Sequence, residues 1–325
     1  MEAMSPTFSK AARPRIALAS TRLDMHDLLG AALAQFGHVD WCRVEDAGDP
    51  ASVQAALCWH PPADLLQRLP SLTLIQSLAA GVDHLHPALA GRSGLPPVCR
   101  VVDRHMGDTM AGYVCWAVLS HHRGMHEYLA QARRREWLGH PVPEPAGHTV
   151  GLAGLGELGM ACARALRTLG YGVRGWSRTP KAQAPDGVRA YHGDAQLGEF
   201  LSGCDTLVCL LPLTPSTRGI LNADLFARLK PGAHLINAAR GEHLVTADLL
   251  RALDGGTLAA ATLDAFEQEP LAEDDPLWRH PRITITPHIG ARTPFTVILR
   301  QTLENLACVR AGRAPGGLVD LAAGY

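Results

Sequence analysis

The pattern Gly154-x-Gly156-x-x-Gly159 constrains the fold of this chain more than any other feature. An apolar run at 149–153 precedes it directly and has the length and composition of a buried strand. Residues 160–169 are rich in Ala and Leu and predict a helix. Strand, glycine turn and helix in this order form the dinucleotide-binding fingerprint, in which the helix N-terminus offers free N–H groups to a pyrophosphate.

Each glycine of this turn has a separate physical task. The first permits a tight turn, the second lets the backbone approach a phosphate, and the third lets helix and strand pack closely. We therefore expect consecutive residues of the turn to contact the cofactor: Gly154, Leu155, Gly156, Glu157 and Leu158.

The end of the next predicted strand bears on which dinucleotide is bound. Where the fingerprint has a partner acid, that acid binds the ribose 2′-hydroxyl. This chain instead has Ser177-Arg178-Thr179, with Lys181 close behind. Because a guanidinium and hydroxyl groups attract a 2′-phosphate that a carboxylate would repel, the sequence predicts NADP, with NADPH preferred over NADH. The alternative is that Arg178 is an ordinary solvated surface charge.

Apolar runs along the whole chain predict an α/β fold. Before the fingerprint, the predicted strands are 15–20, a run that ends at Trp59, 72–78 and 98–102. After it, five apolar strands each end in a polar or glycine-bearing turn, at 172–176, 206–211, 233–237, 259–263 and 283–286. The principal predicted helices are 28–36, 65–69, 107–134 with a break near 121–124, 160–169 and 296–309. This order predicts doubly wound parallel sheets with ligands at the carboxyl ends of the strands.

Composition limits the class of function. The chain has 325 residues, 47% hydrophobic and 19% charged, with a net charge of −1. It lacks the basic excess that favours nucleic acids or anionic membranes, and no run approaches the ~18 apolar residues of a spanning helix. The polar, frayed start over residues 1–15 lacks the apolar core of a signal peptide. Eight cysteines without a CxxC pair or zinc-like spacing predict buried thiols, no metal and a cytoplasmic location.

Three ionisable residues stand at the ends of successive predicted strands: Arg240, Glu269 and His288. Taken singly, each has an ordinary explanation as a surface charge, a loop residue or a packing residue. Together, beyond a dinucleotide site, they suit the reduction of a 2-oxo acid. His288 would give the proton, since histidine has a reference pKa of about 6.5, and Glu269 would orient its ring. Arg240 would bind the substrate carboxylate through two contacts and polarise the carbonyl.

The motifs around these residues resemble those of the D-isomer-specific 2-hydroxyacid dehydrogenase family. The resemblance rests on the glycine pattern and on Leu211-Pro-Leu-Thr214 with Thr217, Ile236-Asn-Ala-Ala-Arg-Gly241, Leu263-Asp-Ala-Phe-Glu-Gln-Glu-Pro270 and Thr286-Pro-His-Ile-Gly290. It extends from about Leu57 to the last predicted helix. Within the family, the chain looks most like enzymes that reduce glyoxylate and hydroxypyruvate, through Trp59-His-Pro-Pro62, Trp176-Ser-Arg-Thr179 and Leu277-Trp-Arg-His-Pro281.

The resemblance also assigns roles to individual residues. It implies the roles already given to the three charged residues. It further implies that the backbone of Ala80, Gly81 and Val82 binds the substrate carboxylate, that Trp59 walls the pocket, and that Asp264 faces the nicotinamide. The remaining implied cofactor contacts are Leu211, Pro212, Thr217, Ala238, Ala239, Arg240, His288 and Gly290.

The family's architecture implies two Rossmann-like domains. A dinucleotide-binding domain would span 103–291, and a smaller, flavodoxin-like substrate domain would combine 1–102 with 292–325. The substrate would enter a cleft between the domains. Similar enzymes are homodimers in which the region 103–148 forms much of the contact. The implied reactions are the NADPH-dependent reductions of glyoxylate to glycolate and of hydroxypyruvate to D-glycerate.

The chain departs from the family pattern at two positions. Gly112 stands where the family usually has Glu, which predicts a looser domain-hinge contact. His243 occupies a variable position from which it could reach the substrate, although a structural role is favoured. Two other functions remain open: a dehydrogenase for another 2-oxo acid, and a non-catalytic nucleotide-binding module of the corepressor type.

Overall fold

The computed structural model describes residues 13–180 and 185–321. These residues form two compact units. One contains the described residues up to Asp103 and from Thr293, and the other lies within Arg104–Arg292. Two predictions fall outside the described residues, namely the frayed start over 1–12 and the contribution of Lys181 to cofactor selection.

The first unit is built on a five-stranded parallel sheet. Its strands are β1 (Arg15–Ser20), β2 (Asp40–Arg43), β3 (Ala55–Trp59), β4 (Leu74–Ser77) and β5 (Val98–Cys99). Its first three α-helices are α1 (Met25–Leu33), α2 (Leu65–Arg68) and α3 (His86–Leu89). The strand order β2-β1-β3-β4-β5 is that of flavodoxin-like sheets, so the predicted fold class is confirmed for this unit.

The sheet has one strand more than predicted. The additional strand is β2, which pairs with β1 at the edge of the sheet and buries only Cys42. An edge strand with a single covered residue carries too little apolar pattern to be recognised from sequence. Conversely, the strand predicted at 98–102 is limited to Val98–Cys99.

The second unit is built on a seven-stranded parallel sheet. Its helices are α4 (Arg104–His122), α5 (Met125–Arg134), α6 (Glu157–Thr168), α7 (Leu197–Ser202), α8 (Ala223–Phe226) and α9 (Thr246–Asp254). Its strands are β6 (Thr149–Ala153), β7 (Gly172–Ser177), β8 (Val188–His192), β9 (Thr206–Cys209), β10 (Ala233–Asn237), β11 (Leu258–Leu263) and β12 (Ile283–Ile285). Their order β8-β7-β6-β9-β10-β11-β12 is the doubly wound order, with the switch point between β6 and β9.

Strand β8 is the element of this sheet that the sequence pattern misses. Five strands are predicted after the fingerprint strand, whereas six follow it. β8 is an edge strand in which only Tyr191 is buried, so it lacks the apolar run of its neighbours. Helix α6 also begins at Glu157 rather than at Met160, because Gly156 already serves as its N-cap.

The chain returns to the first unit through α10 (Phe295–Arg310). The buried aliphatic side chains that α10 adds to the core of this unit are Ile298, Leu299, Leu303 and Leu306. Asn305 donates a hydrogen bond to Oε1 of the buried Gln76 at 2.8 Å. The last helix therefore completes the core begun by the N-terminal strands.

The predicted burial of the cysteine thiols is confirmed for most of them. All eight are free, and six are buried. Burial raises the pKa of the Cys204 and Cys209 thiols to about 12. In the described ranges, no helix combines the length and apolar character needed to cross a membrane.

Candidate active site

The fingerprint glycines form an open turn between β6 and α6. Gly154 has a φ of +113°, and a side-chain carbon there would lie 2.7 Å from the Leu210 carbonyl oxygen. A side-chain carbon on Gly159 would lie 2.0 Å from the Gly154 carbonyl oxygen. Gly156 is the N-cap of α6, makes no side-chain cap and has open space around it. The helix thus presents uncapped N–H groups to an open surface, which suits a pyrophosphate.

The turn after β7 carries the residues predicted to select the cofactor. Arg178 and Thr179 are exposed, whereas Ser177 is buried and donates its hydroxyl to the Thr179 carbonyl at 2.8 Å. The turn therefore offers a guanidinium and a hydroxyl at the surface and contains no carboxylate. The buried Ser177 side chain therefore stabilises the turn through this hydrogen bond.

His288 and Glu269 lie in direct contact. Nδ1 of His288 is 2.9 Å from Oε2 and 3.1 Å from Oε1 of Glu269. Because an ionised carboxylate only accepts hydrogen bonds, Nδ1 carries a proton and donates it to this pair of oxygens. The two side chains are 39% and 38% exposed, and Nε2 of His288 has no hydrogen-bond partner among the described residues. The imidazole thus presents Nε2 outward.

The environment of Glu269 favours the ionised carboxylate. Partial burial raises the pKa of this carboxyl, but the hydrogen bonds from His288 and the Phe266 N–H, with the charges of His288 and Arg240, outweigh that effect. The net pKa of Glu269 lies below its ordinary value. The Phe266 N–H donates to Oε1 at 2.9 Å. A carboxylate held in this way orients the imidazole.

The backbone of His288 is in the left-handed region, with φ of 52°. A non-glycine residue in this conformation costs roughly 1–2 kcal/mol. Arg292 helps to hold it there, because Nε donates to the His288 carbonyl at 3.1 Å and Nη2 donates to the Pro287 carbonyl at 3.2 Å.

The buried carboxylate of Asp264 supports the same turn. Its Oδ1 accepts from the Thr286 hydroxyl at 2.6 Å and from the Ile289 N–H at 2.9 Å, and its Oδ2 accepts from the Gly290 N–H at 2.7 Å. Asp264 is only 2% exposed. These bonds anchor the residues on both sides of His288, whereas the predicted approach of Asp264 to the nicotinamide stays a prediction.

Arg240 follows β10 in a loop that packs against the segment leading to Glu269. A side-chain carbon on Gly241 would lie 1.9 Å from the Phe266 carbonyl carbon, so only glycine permits this approach. Asn237 Nδ2 donates to the Arg240 carbonyl at 2.9 Å. The Arg240 side chain is half-buried, and its Nη1 donates to the preceding carbonyl at 2.8 Å. The loop therefore carries a guanidinium whose charge acts on Glu269.

His243 is fully buried behind this loop. Its Nδ1 accepts from the Arg240 N–H at 3.2 Å, and its Nε2 lies 3.3 Å from the Pro212 carbonyl. Burial lowers the pKa of His243, which favours the neutral ring with its proton on Nε2. His243 thus connects two loops, which agrees with the favoured structural role.

The other predicted cofactor contacts lie on loops that follow β9 and β10. Leu211 and Ala239 are buried, Ala238 is half-buried and Pro212 is exposed. Thr217 donates its hydroxyl to the Pro212 carbonyl at 2.7 Å and closes the loop after β9. Because β6, β9 and β10 are adjacent and parallel, these loops lie along the same sheet edge as the glycine turn.

The first unit carries the remaining predicted substrate contacts. The loop 79–82 follows β4, and the half-buried Trp59 ends the neighbouring strand β3. The N–H groups of Ala80, Gly81 and Val82 have no hydrogen-bond partner among the described residues. Successive free N–H groups form a concavity that attracts anions.

The family model described as D-isomer specific 2-hydroxyacid dehydrogenase, NAD binding domain, matches residues 115–290. The chain belongs to this dehydrogenase family. A curated relative, glyoxylate/hydroxypyruvate reductase A of Serratia proteamaculans (strain 568), is 43% identical over 287 residues, which cover 87% of this chain and 91% of the relative.

Two solved structures of 2-hydroxyacid dehydrogenases have the same fold over nearly their whole length. A family protein from Klebsiella pneumoniae 342 is 44% identical, with a TM-score of 0.88 over 96% of this chain and 99% of its own. The NADPH-dependent glyoxylate/hydroxypyruvate reductase from Sinorhizobium meliloti, in complex with NADP and sulfate, is 35% identical, with a TM-score of 0.87 over 96% of this chain and 100% of its own.

In this 2-hydroxyacid dehydrogenase, the second unit brings the three predicted charged residues into one group of loops. Two supporting residues were not predicted from sequence. Arg292 lies outside every motif and gives no sequence signal, whereas Asn237 stands inside a quoted motif and could have been found there. Gly112 is exposed on α4, where an added side-chain carbon would have no described atom within 4 Å, and its predicted effect on a domain hinge stays a prediction.

Proposed function

We propose that this protein reduces small 2-oxo acids with NADPH, converting glyoxylate into glycolate and hydroxypyruvate into D-glycerate. The observation that carries the proposal is the contact between His288 and Glu269 beside Arg240, in the unit that also holds the open glycine turn. The Serratia and Sinorhizobium relatives are both named as reductases of these two substrates.

The second unit has the features that NADPH needs. The uncapped start of α6 would hold the pyrophosphate, and Arg178 with Thr179 would hold the 2′-phosphate. The Sinorhizobium structure contains NADP, which supports the choice of cofactor. When bound, the reduced nicotinamide supplies a hydride to the carbonyl carbon.

The side chains of the site would supply the rest of the reaction. His288 would give the proton on Nε2 to the carbonyl oxygen, while Glu269 holds Nδ1 and so fixes the direction of Nε2. Arg240 would bind the carboxylate and polarise the carbonyl. The carbonyl oxygen thereby becomes a hydroxyl, and His288 regains its proton from solvent.

The first unit would contribute substrate recognition. The free N–H groups of Ala80, Gly81 and Val82 would bind the substrate carboxylate. Trp59 would limit the size of the group next to the carbonyl. The first compact unit ends at Asp103 and resumes at Thr293, and the second lies within Arg104–Arg292. This division supports a dinucleotide-binding domain at 103–291 and a substrate domain at 1–102 and 292–325.

We further propose a cytoplasmic homodimer that contacts its partner copy through the region 103–148. The exposed large apolar side chains of this region are Trp116, Leu129, Trp137, Leu138 and Val142. A group of exposed apolar side chains of this kind is typical of a protein interface. The eight free thiols support a reducing compartment.

The test is the consumption of NADPH and of NADH with glyoxylate, hydroxypyruvate, pyruvate and phenylpyruvate. We expect NADPH to be preferred, and kcat/KM for the first two acids to exceed that for phenylpyruvate by about tenfold or more. Preference for phenylpyruvate would indicate a dehydrogenase of another 2-oxo acid. Binding of NADPH without turnover of any of the four acids would overturn the proposal in favour of a non-catalytic module.

A further inference from the structure

We propose that Ser77 and His84 are positioning residues for substrate binding, forming a buried hydroxyl–imidazole pair that fixes both the 79–82 loop and the Trp59 ring. This inference rests on the proposed function, which gives the loop and Trp59 their roles in recognition. Neither Ser77 nor His84 touches the substrate in this proposal, because both side chains are buried at 0% and 3% exposure.

Ser77 ends β4 and ties the loop to it. Its Oγ lies 2.7 Å from the Ala79 carbonyl and 3.2 Å from the Gly81 carbonyl, and it accepts from the Ala79 N–H at 3.0 Å. A hydroxyl has one donor and two acceptor positions. One proton is therefore shared by the two carbonyls, while the lone pairs remain available to N–H donors.

These bonds help to determine where the N–H groups of the loop point, together with the bond that the Ala79 carbonyl accepts from the Val101 N–H at 3.0 Å. In a planar trans peptide, the carbonyl oxygen and the following N–H lie on opposite sides. Because the carbonyls of Ala79 and Gly81 face the Ser77 hydroxyl, the N–H groups of Ala80 and Val82 face away from it. Those are two of the groups proposed to bind the substrate carboxylate.

His84 connects this arrangement to the neighbouring strand. Its Nε2 lies 3.3 Å from both the Ser77 Oγ and the Cys58 carbonyl oxygen. Because a carbonyl only accepts, Nε2 carries the proton and donates to both. The ring also packs against Trp59, with centroids 4.5 Å apart. One imidazole thus links the pocket wall at the end of β3 to the loop at the end of β4.

The surroundings of the pair argue against a role in packing alone. Both members of the pair are buried, and the centroid of the His84 ring lies 4.5 Å from that of Trp59 and 5.7 Å from that of His60. A hydroxyl or an imidazole in such surroundings destabilises the fold unless it is hydrogen-bonded. An apolar pair could fill the same space, but it would leave the Gly81 carbonyl without the Ser77 hydroxyl and the Ala79 carbonyl with the Val101 N–H alone.

The experiment compares Ser77→Ala, His84→Leu and His84→Gln with the wild type. We expect the first two to raise the KM for glyoxylate about tenfold, the loss equivalent to one good hydrogen-bonded contact, with kcat changed less than about threefold. The NADPH Kd should not change, because NADPH binds the other unit. Gln keeps an N–H donor at the reach of Nε2, so His84→Gln should restore KM to within about threefold of the wild type.

Thr302→Val is the matched control, because Thr302 is a fully buried hydroxyl of the same unit that donates to the Ile298 carbonyl of its own helix at 2.9 Å. Amide hydrogen exchange of the Ala79 N–H, which donates to the Ser77 hydroxyl, gives a readout that needs no activity: it should quicken in Ser77→Ala and not in Thr302→Val. Unchanged KM and exchange in Ser77→Ala, or equal changes in the control, would overturn the inference. A wild-type enzyme that turns over none of the four acids would refute the proposed function instead. The exchange data would still show whether the Ser77 hydroxyl holds the 79–82 loop.

Discussion

At the scale of single residues, the proposed chemistry depends on the direction of one imidazole. His288 occupies left-handed backbone, and the bonds from Arg292 and to Asp264 hold the turn around it. Glu269 then fixes the ring through Nδ1. Backbone and side chain are thus restrained separately, which leaves Nε2 with a defined position before any ligand binds.

Replacing His288 with Gln should lower kcat by about 10²- to 10⁴-fold, the usual contribution of a general acid. The NADPH Kd should stay within about threefold of the wild-type value, because His288 is one of many predicted cofactor contacts and the others remain. Steady-state rates and a cofactor titration measure the two effects. His26→Gln, at a partly exposed residue of α1, should leave both unchanged. Full activity in the His288 variant would refute its role.

Replacing Arg178 with Ala should raise the KM for NADPH about tenfold or more and leave the KM for NADH within about threefold. A charged hydrogen bond to phosphate contributes about 1.5–3 kcal/mol, and only NADPH carries the 2′-phosphate. Arg228→Ala removes another exposed arginine of the same unit and is the control. An equal rise in the KM for both cofactors would show that Arg178 does not bind the 2′-phosphate.

At the scale of elements, the two edges of the second sheet have different character. The carboxyl edge carries the glycine turn, Arg240 and the loops already described. Histidines gather at the start of the strands, where the ring centroids of His121 and His234 lie 4.3 Å apart, as do those of His122 and His148. Nε2 of His148 also bonds to the Thr206 hydroxyl at 2.9 Å.

This histidine cluster should make the second unit sensitive to acid. Burial lowers the pKa of His121 and of His148 to about 4, with smaller contributions from neighbouring histidines, whereas Asp205 acts in the opposite direction on His148. The unfolded chain, with a histidine pKa of about 6.5, therefore binds more protons than the folded one between the two values. Stability should be complete above about pH 6.5 and should fall as the pH approaches 4.

Urea unfolding at about pH 7.5 and about pH 5 measures this effect. We expect a lower free energy of unfolding at the acidic pH, and a smaller difference between the two pH values in His148→Gln than in the wild type. His26→Gln, at a partly exposed position outside this cluster, should keep the wild-type difference. Equal stability of the wild type at both pH values would contradict the prediction.

At the scale of the whole molecule, the region 103–148 should decide the state of assembly. Trp137 is fully exposed in the isolated chain, and Leu138 and Val142 are 60% and 67% exposed. We expect a dimer by light scattering for the wild type, and a shift towards monomer for Trp137→Ser. Trp278→Ser, at a tryptophan that is 52% exposed elsewhere in the same unit, is the control. A monomeric wild type would refute the proposed homodimer.

Much of the fold could be predicted from the sequence because most of its strands are local apolar runs. β1 and β6 have the predicted bounds, and the parallel order of both sheets agrees with the predicted class. The edge strands β2 and β8 could not be found, since each buries a single residue. Each forms because the neighbouring strand provides its hydrogen-bond partners.

The sequence by itself determined the residue types and the short-range geometry: a glycine turn at a helix start, strands that end in reactive side chains, and no acid after β7. These depend on neighbours in the chain, whose spacing a sequence records. Only the tertiary structure decided that Asp264 anchors the turn of His288, that Gly241 lets two loops approach, and that His84 joins Ser77 to Trp59. Such contacts join separate segments of the chain, and hydrogen-bond distances between them arise only when the sheet brings its strand ends together.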